Sequence, residues 1–120
     1  MDASPMVVAQ QINNASNELD SISKELQAAS REYGDAKFEY EKASLTKAYE
    51  LYGALAAGGT RLPAEDIRRA TIAHAIGWEA YGRMLSAKAE VDALKARANG
   101  VEAVMNGKQS VLKALREELA

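Results

Sequence analysis

Apolar residues recur at alternating three- and four-residue steps in both halves of this chain of 120 residues. The first series is Ile12, Ala15, Leu19, Ile22, Leu26, Ala29, Tyr33, Ala36, Tyr40 and Ala43. The second series is Met84, Ala87, Val91, Leu94, Ala98, Val101, Met105, Lys108, Leu112, Leu115 and Leu119, with Lys108 the one polar position. A repeat of about 3.5 residues is typical of helices packed along a shared seam. The pattern therefore predicts an all-α protein, a long antiparallel helical hairpin with coiled-coil packing.

Proline and glycine mark where the helices begin and end. Ser4 followed by Pro5 suits a helix start. Serine caps the free N–H groups of the first turn, and the N–H group that proline lacks would have no partner within the helix there. Gly58 and Gly59 form the first strong stop, and Pro63 suits a restart. We expect helix 1 over about 5–57, a loop over 58–62 and helix 2 over about 63–119. Together they would form a single domain of residues 1–120.

Two Asn-Gly pairs, Asn99-Gly100 and Asn106-Gly107, leave the second helix open to two interpretations. Asn-Gly is a strong turn signal, so a third short helix after a turn near residue 100 is one alternative. The other is a continuous helix with weakened turns. We favour the continuous helix because Ala98, Val101 and Met105 stay in phase across both glycines.

The two series mirror each other about the loop, so residues whose numbers add to 120 would lie opposite each other. Leu26 then faces Leu94, and Tyr40 faces Ala80. Glutamates one heptad apart flank the seam, where Arg83 and Arg97 are placed to reach them: Glu18, Glu25, Glu32 and Glu39. The same seam suits a hairpin within one chain or a swapped dimer.

Near the loop the apolar residues spread over more than one stripe of each helix. A two-helix hairpin has only one seam to bury, so the excess predicts further helices from other subunits. The residues expected at this interface are Leu51, Leu55, Ile67, Ile72, Ile76, Trp78 and Tyr81. We therefore expect a homo-oligomeric helical bundle or ring, with the number of subunits left open.

Composition narrows the function classes. Fifteen Lys and Arg against 17 Asp and Glu make a net charge of −2, which gives no whole-chain electrostatic case for nucleic acid. The absence of cysteine excludes disulfides and thiol catalysis. No apolar stretch approaches the roughly 18 residues of a membrane span. We expect a cytoplasmic protein without a membrane partner.

Motifs for catalysis are missing. His74 is the only histidine, and it belongs to no His-Glu-x-x-His pattern. Glu32, Asp35 and Glu39 lack the Glu-x-x-His partner of a carboxylate metal bundle. The glycines before Thr60 are not followed by the Gly-Lys-Ser/Thr of a phosphate loop. We expect a protein that is not an enzyme and needs no metal or cofactor.

The remaining functional pattern lies around the hairpin tip. Cations that neutralise phosphates and aromatic rings that stack on bases are typical of proteins that bind single-stranded nucleic acid. The candidate residues are Lys47, Tyr49, Tyr52, Arg61, Arg68 and Arg69. The alternative is that Arg68 and Arg69 pair with Glu65 and Asp66 and that the aromatic rings belong to the oligomer interface.

Three segments resemble the recombination mediators of tailed phages, the UvsY type. They are Lys47-Ala48-Tyr49-Glu50-Leu51-Tyr52-Gly53, Gly77-Trp78-Glu79-Ala80-Tyr81 and Lys95-Ala96-Arg97. The resemblance implies a non-catalytic oligomer that binds single-stranded DNA, helps to load a recombinase and acts in the host cytoplasm. It would make Lys47 and the arginines near the tip the DNA contacts.

The sequence thus supports three hypotheses for function. The first is a phage-type recombination mediator that binds single-stranded DNA, with a recombinase or another protein as partner. The second is a coiled-coil scaffold or assembly protein that binds only other proteins. The third is a small inhibitor of a host enzyme.

Overall fold

The computed structural model describes residues 4–119, so the two ends of the predicted 1–120 domain lie outside the described residues. Three helices follow one another: α1 (Pro5–Ala57), α2 (Glu65–Ile76) and α3 (Trp78–Leu119). No strand occurs between residues 4 and 119. The prediction of an all-α fold is confirmed.

Both ends of α1 follow from local sequence. Val7 N–H donates a hydrogen bond to the Ser4 side-chain oxygen at 3.3 Å, which caps the free amino end of the helix. At the other end Gly59 has a positive φ of 72°, Gly59 N–H donates to Ala56 O at 3.2 Å, and Thr60 N–H donates to Leu55 O at 2.9 Å. This paired arrangement satisfies carbonyls that the last turn leaves free. The first helix therefore has the bounds expected from its proline and glycine signals.

The prediction that helix 2 is one continuous helix is wrong. It begins at Glu65 rather than residue 63, and it is divided by Gly77 into α2 and α3. Gly77 has φ 85° and ψ 175°, a conformation that glycine adopts readily and residues with a Cβ do not. Nothing in the sequence marked this break, because a single glycine is also tolerated inside a helix. Beyond it the helix is continuous through both Asn-Gly pairs, so that preference is confirmed.

The chain divides into two compact units. We call Met1–Ala29 with Glu90–Ala120 the terminal unit, and Ser30–Ala89 the loop unit. The seam residues are buried or partly buried with one exception among those described, Leu119, which is 74% exposed. The two predicted series therefore mark the packed faces of α1 and α3. Whether the units form a single domain stays a prediction.

In the terminal unit, α1 and α3 run antiparallel around an aliphatic core. Its buried side chains are Val8, Ile22, Val91 and Leu94, of which Ile22 is the most deeply buried at 1% exposed. Arg97 bridges two successive glutamates of α1, reaching Glu18 at 3.3 Å and Glu25 at 3.5 Å. The predicted contact of Arg97 with the glutamate series is confirmed.

In the loop unit, α1 packs against α2 and the start of α3, and the buried seam residues are the small Ala36 and Ala87. Tyr40 packs on Tyr81 with ring centroids 5.4 Å apart, one residue from its expected partner Ala80. Arg83 pairs with Glu32 at 2.9 Å, as predicted. The hydrogen bond that Arg83 donates to Glu32, and then the negative charge of Glu32, raise the pKa of Arg83 above its usual value.

Candidate interaction site

The loop unit holds every aromatic residue of the chain: five tyrosines, one tryptophan and one phenylalanine. Several of these rings are largely in solvent. Tyr49 is 79% exposed, Trp78 is 76% exposed and Phe38 is 61% exposed. Large exposed apolar side chains often mark a binding surface, so the loop unit is the candidate location of such a surface.

The predicted nucleic-acid residues have different surroundings. Lys47 pairs with Glu50 at 3.0 Å, and Arg69 pairs with Glu65 at 2.7 Å. Arg68 donates through Nη1 to the carbonyl oxygen of Pro63 at 2.7 Å. Arg61 is exposed and forms no ion pair with any residue between 4 and 119. Neighbouring carboxylates therefore offset two of these four cations.

The alternative pairing of the two arginines is present only in part. Arg69 does pair with Glu65, four residues earlier on α2. Asp66 instead accepts a hydrogen bond from the backbone N–H of Ile67 at 2.9 Å.

The two predicted stacking tyrosines also differ. Tyr49 is 79% exposed. One edge of its ring lies close to the backbone of Gly53, where an added Cβ would be only 3.1 Å from Tyr49 Cδ2. Tyr52 is partly buried. Tyr49 is therefore the better placed of the two to stack on a base.

The residues predicted for an oligomer interface fall into two groups. Four are exposed: Leu51 at 40%, Leu55 at 42%, Ile67 at 55% and Trp78 at 76%. Three are partly buried: Ile72, Ile76 and Tyr81. All seven lie in the loop unit. Their role in assembly stays a prediction.

A cleft of about 480 Å³ opens between α1, α2 and the start of α3 within the loop unit. We call it the aromatic cleft, and its main lining residues are Tyr40, Ser44, Arg69, Ile72, Trp78 and Tyr81. Trp78 meets Tyr81 edge to face, with centroids 6.2 Å apart. The Ser44 hydroxyl donates to Tyr40 O at 2.9 Å, so it is already satisfied. The cleft is mainly apolar, with the Arg69 guanidinium as its cation.

Gly77 also lines this cleft, at the break between α2 and α3. No atom lies within 4 Å of a Cβ built on it. The positive φ of Gly77 turns the chain at this point, and the open space beside it belongs to the cleft. The break that the sequence concealed therefore also shapes the cleft.

An apolar ridge on α1 is the feature that the sequence analysis missed. Phe38 is 61% exposed and Leu45 is 73% exposed. Each lies two residues beyond a seam alanine, Ala36 or Ala43, which turns it about 200° away from the packed face. The two are one heptad apart, with Glu41 between them. That second heptad spacing, outside the seam, is the signal that identifies the ridge.

His74 is exposed on α2. Within residues 4–119 no group of three or more His, Asp or Glu side chains is arranged to hold a metal ion. None of the described helices is long and apolar enough to cross a bilayer. The surfaces that stand out are the ridge and the cleft, which suit packing against another apolar surface.

Comparison with known proteins brought no match to this chain, whether with protein-family models, curated proteins or solved structures.

Proposed function

We propose that this protein is a non-catalytic coiled-coil assembly protein that associates with copies of itself through the loop unit. The observation that carries the proposal is the ridge, where Phe38 and Leu45 leave 61% and 73% of their surface in water. Covering such side chains contributes about 25 cal/mol for each Å² of apolar surface removed from water. An oligomer would supply the cover that one chain does not.

The spacing of the exposed residues supports helix–helix packing as the mode of association. Phe38 and Leu45 on α1, and Trp78 and Leu85 on α3, are two pairs with the heptad spacing. Residues at this spacing lie on one side of a helix and form the ridges that pack into a neighbouring helix pair. The loop unit can therefore offer a linear apolar surface on each of two helices.

Sedimentation velocity of the full chain at micromolar concentration tests this proposal. We expect the wild-type chain to sediment as an oligomer, and the double variant Phe38→Ser/Leu45→Ser to shift toward the monomer. The matched control is Val104→Ser/Val111→Ser, since these valines of the terminal unit have the same spacing and are 58% and 44% exposed. The control should keep the wild-type mass. A monomeric wild type at these concentrations contradicts the proposal.

A second candidate function is single-stranded DNA binding by such an oligomer, as in the UvsY-type mediators that the sequence resembles. The observation that favours it is Tyr49, a ring 79% exposed on the unit that also carries the exposed Arg61. The stretch from Lys42 to Trp78 has more basic than acidic residues: Lys42, Lys47, Arg61, Arg68 and Arg69 against Glu50, Glu65 and Asp66. An oligomer would repeat this weak site, and multivalency raises the overall affinity.

A gel shift with single-stranded oligonucleotides at about 50 mM salt tests the second candidate, because phosphate contacts are strongest at low salt. We expect binding that weakens as salt rises, and that weakens further in Arg61→Glu and Tyr49→Ala. The matched control is Arg116→Glu, an exposed arginine of the terminal unit. Absence of binding at this salt concentration removes the candidate and leaves the assembly protein.

In this second interpretation a recombinase is the protein partner, and the host cytoplasm is the compartment. If a neighbouring gene encodes a recombinase, a pull-down with that recombinase tests the partner directly.

A further inference from the structure

The loop unit has two apolar features of unlike shape. The ridge is an exposed surface, since Phe38 and Leu45 leave 61% and 73% of their surface in water, and Phe38 also borders a groove with Ile76 and Ala80. The aromatic cleft is concave, with Tyr40 and Ser44 of α1 on one side and Trp78 and Tyr81 on the other. Both features belong to the same unit, so every copy of the chain carries one of each.

The cleft is large enough to hold side chains of another helix. The cleft has a volume of about 480 Å³, within the range of roughly 300–1,000 Å³ that holds a small organic molecule. Phe38 and Leu45 follow each other along one helix at the heptad spacing. Side chains in such a row can enter a groove between neighbouring helices, as ridges do in helix packing.

The charges also match. Glu41 lies between the two ridge residues and is 60% exposed, with Lys37 4.0 Å away. Arg69 lines the cleft and is 79% exposed, with Glu65 as its present partner. Ion pairs between exposed side chains are weak, so Glu41 and Arg69 can exchange their partners for each other. Each of these charges has a partner within its own chain, and a contact that exchanged those partners would bring Glu41 to Arg69, two groups of opposite charge.

Two ridges packed on each other would be a poorer arrangement. A twofold contact between ridges would bring Glu41 of one copy toward Glu41 of the other, and like charges at an interface oppose association. It would also leave the cleft uncovered, with Trp78 still 76% exposed. A ridge in a cleft avoids both problems.

We propose that the ridge of one copy packs into the aromatic cleft of a second copy, with Phe38 and Leu45 beside Trp78 and Glu41 beside Arg69. This interface rests on the proposed self-association, and it specifies that the two copies use different surfaces. A contact between two different surfaces is head to tail, so each copy keeps one free ridge or cleft until the assembly closes. The product is a ring if the rotation closes, and an open filament if it does not.

Mixing two defective variants tests the direction of the interface. The ridge variant is Phe38→Ser/Leu45→Ser, and it keeps its cleft. The cleft variant is Trp78→Ser, and it keeps its ridge; a second cleft variant, Ala70→Trp, instead fills the cleft from an exposed position that lines it. We expect each variant to fold, because the residues replaced are exposed. Circular dichroism checks this by measuring the helical content of each variant.

Light scattering coupled to size exclusion then gives the masses. We expect wild type to form assemblies larger than a dimer, and each variant alone to be a monomer of about 12.9 kDa. An equal mixture of ridge and cleft variants should give a heterodimer and nothing larger, because only one productive contact remains between them. The measured mass should therefore double on mixing.

Other outcomes overturn the inference in distinguishable ways. If the cleft variants assemble like wild type, or the mixture stays monomeric, the ridge does not enter the cleft although self-association stands. If the ridge variant still assembles alone, the ridge is not part of the interface. If wild type itself is a monomer, the proposed function fails and the inference fails with it.

Discussion

The terminal unit and the loop unit follow the same heptad seam and differ in what that seam buries. The terminal unit buries the aliphatic side chains Val8, Ile22, Val91 and Leu94, and it contains no aromatic residue. The loop unit buries only alanines at its seam, Ala36 and Ala87, and it carries all the aromatic rings. Fully buried large apolar side chains therefore occur in the terminal unit, whereas those of the loop unit are at most partly buried.

This difference teaches that heptad periodicity predicts which face packs but not whether the packing is complete. In the terminal unit the large residues fall on the seam, so one helix pair covers most of them. In the loop unit, Phe38, Leu45 and Trp78 fall off the seam and stay exposed. Exposed apolar surface of this kind is typical of interaction sites, which is why we propose that the loop unit is the part that binds.

The largest effect should come from truncating the most buried side chain of the terminal unit. Ile22 is 1% exposed, so Ile22→Ala removes buried methyl groups and leaves a cavity. We expect the free energy of unfolding to fall by about 3 kcal/mol, measured by urea denaturation at fixed protein concentration. The matched control is Leu45→Ala, 73% exposed in the loop unit, which should change it by less than about 0.5 kcal/mol at a concentration where the chain is monomeric.

A smaller loss of stability should follow from placing a larger side chain in the seam of the loop unit. Ala36 is 1% exposed, and Ala36→Leu would force extra methylene groups between the helices. We expect a loss of about 2 kcal/mol in the free energy of unfolding. The parallel change Ala28→Leu, at an exposed position of α1, should have little effect. Equal effects of the two would mean that the alanine seam is loosely packed.

Next in size is the conformational effect at the helix break. Gly77 has a φ of 85°, so Gly77→Ala should destabilise the chain by about 1 kcal/mol through backbone strain alone, since no atom lies within 4 Å of the new Cβ. The matched change is Gly100→Ala, inside α3 with equally open space. It should stabilise by up to about 1 kcal/mol, because alanine favours the helix. Thermal unfolding followed by circular dichroism compares the two, and effects of the same sign would contradict the break.

The smallest effect should come from the surface ion pairs. Arg97 bridges Glu18 and Glu25 in the terminal unit with its side chain 52% exposed. We expect Arg97→Gln to lower the free energy of unfolding by less than about 1 kcal/mol, with a difference that shrinks as salt is added. Urea titrations of both proteins at low and high salt measure it. A difference that is independent of salt would assign the effect of Arg97 to packing of its stem.

Much of the fold was predictable because it depends on local patterns. The Ser4 cap, the Gly59 stop and the seam all come from residues within one turn or one heptad of each other. The contact of Arg83 with the glutamates that flank the seam was also expected, although the mirror relation did not single out Glu32 as the partner. The break at Gly77 was not predictable in this way, since glycine suits both a close-packed seam and a positive φ.

The candidate site was predictable only in its location. The sequence placed the unpartnered apolar residues near the loop, and the structure has Leu51, Leu55, Ile67 and Trp78 exposed there. It did not reveal that Lys47 is paired with Glu50, and it left the pairing of Arg69 with Glu65 as one of two alternatives, since only the folded side-chain conformation decides which partner is reached. The ridge at Phe38 was also missed, because a second heptad spacing carried by two residues only, Phe38 and Leu45, is a weak signal in a sequence.

The sequence by itself determined that the chain is helical, which faces of α1 and α3 are packed, and where the first helix begins and ends. These properties depend on periodicity and capping, which act over a few residues. Only the tertiary structure decided that helix 2 breaks at Gly77 and that an aromatic cleft opens beside the break. Both depend on where α2 lies against α1, and contacts between residues distant in sequence set that position.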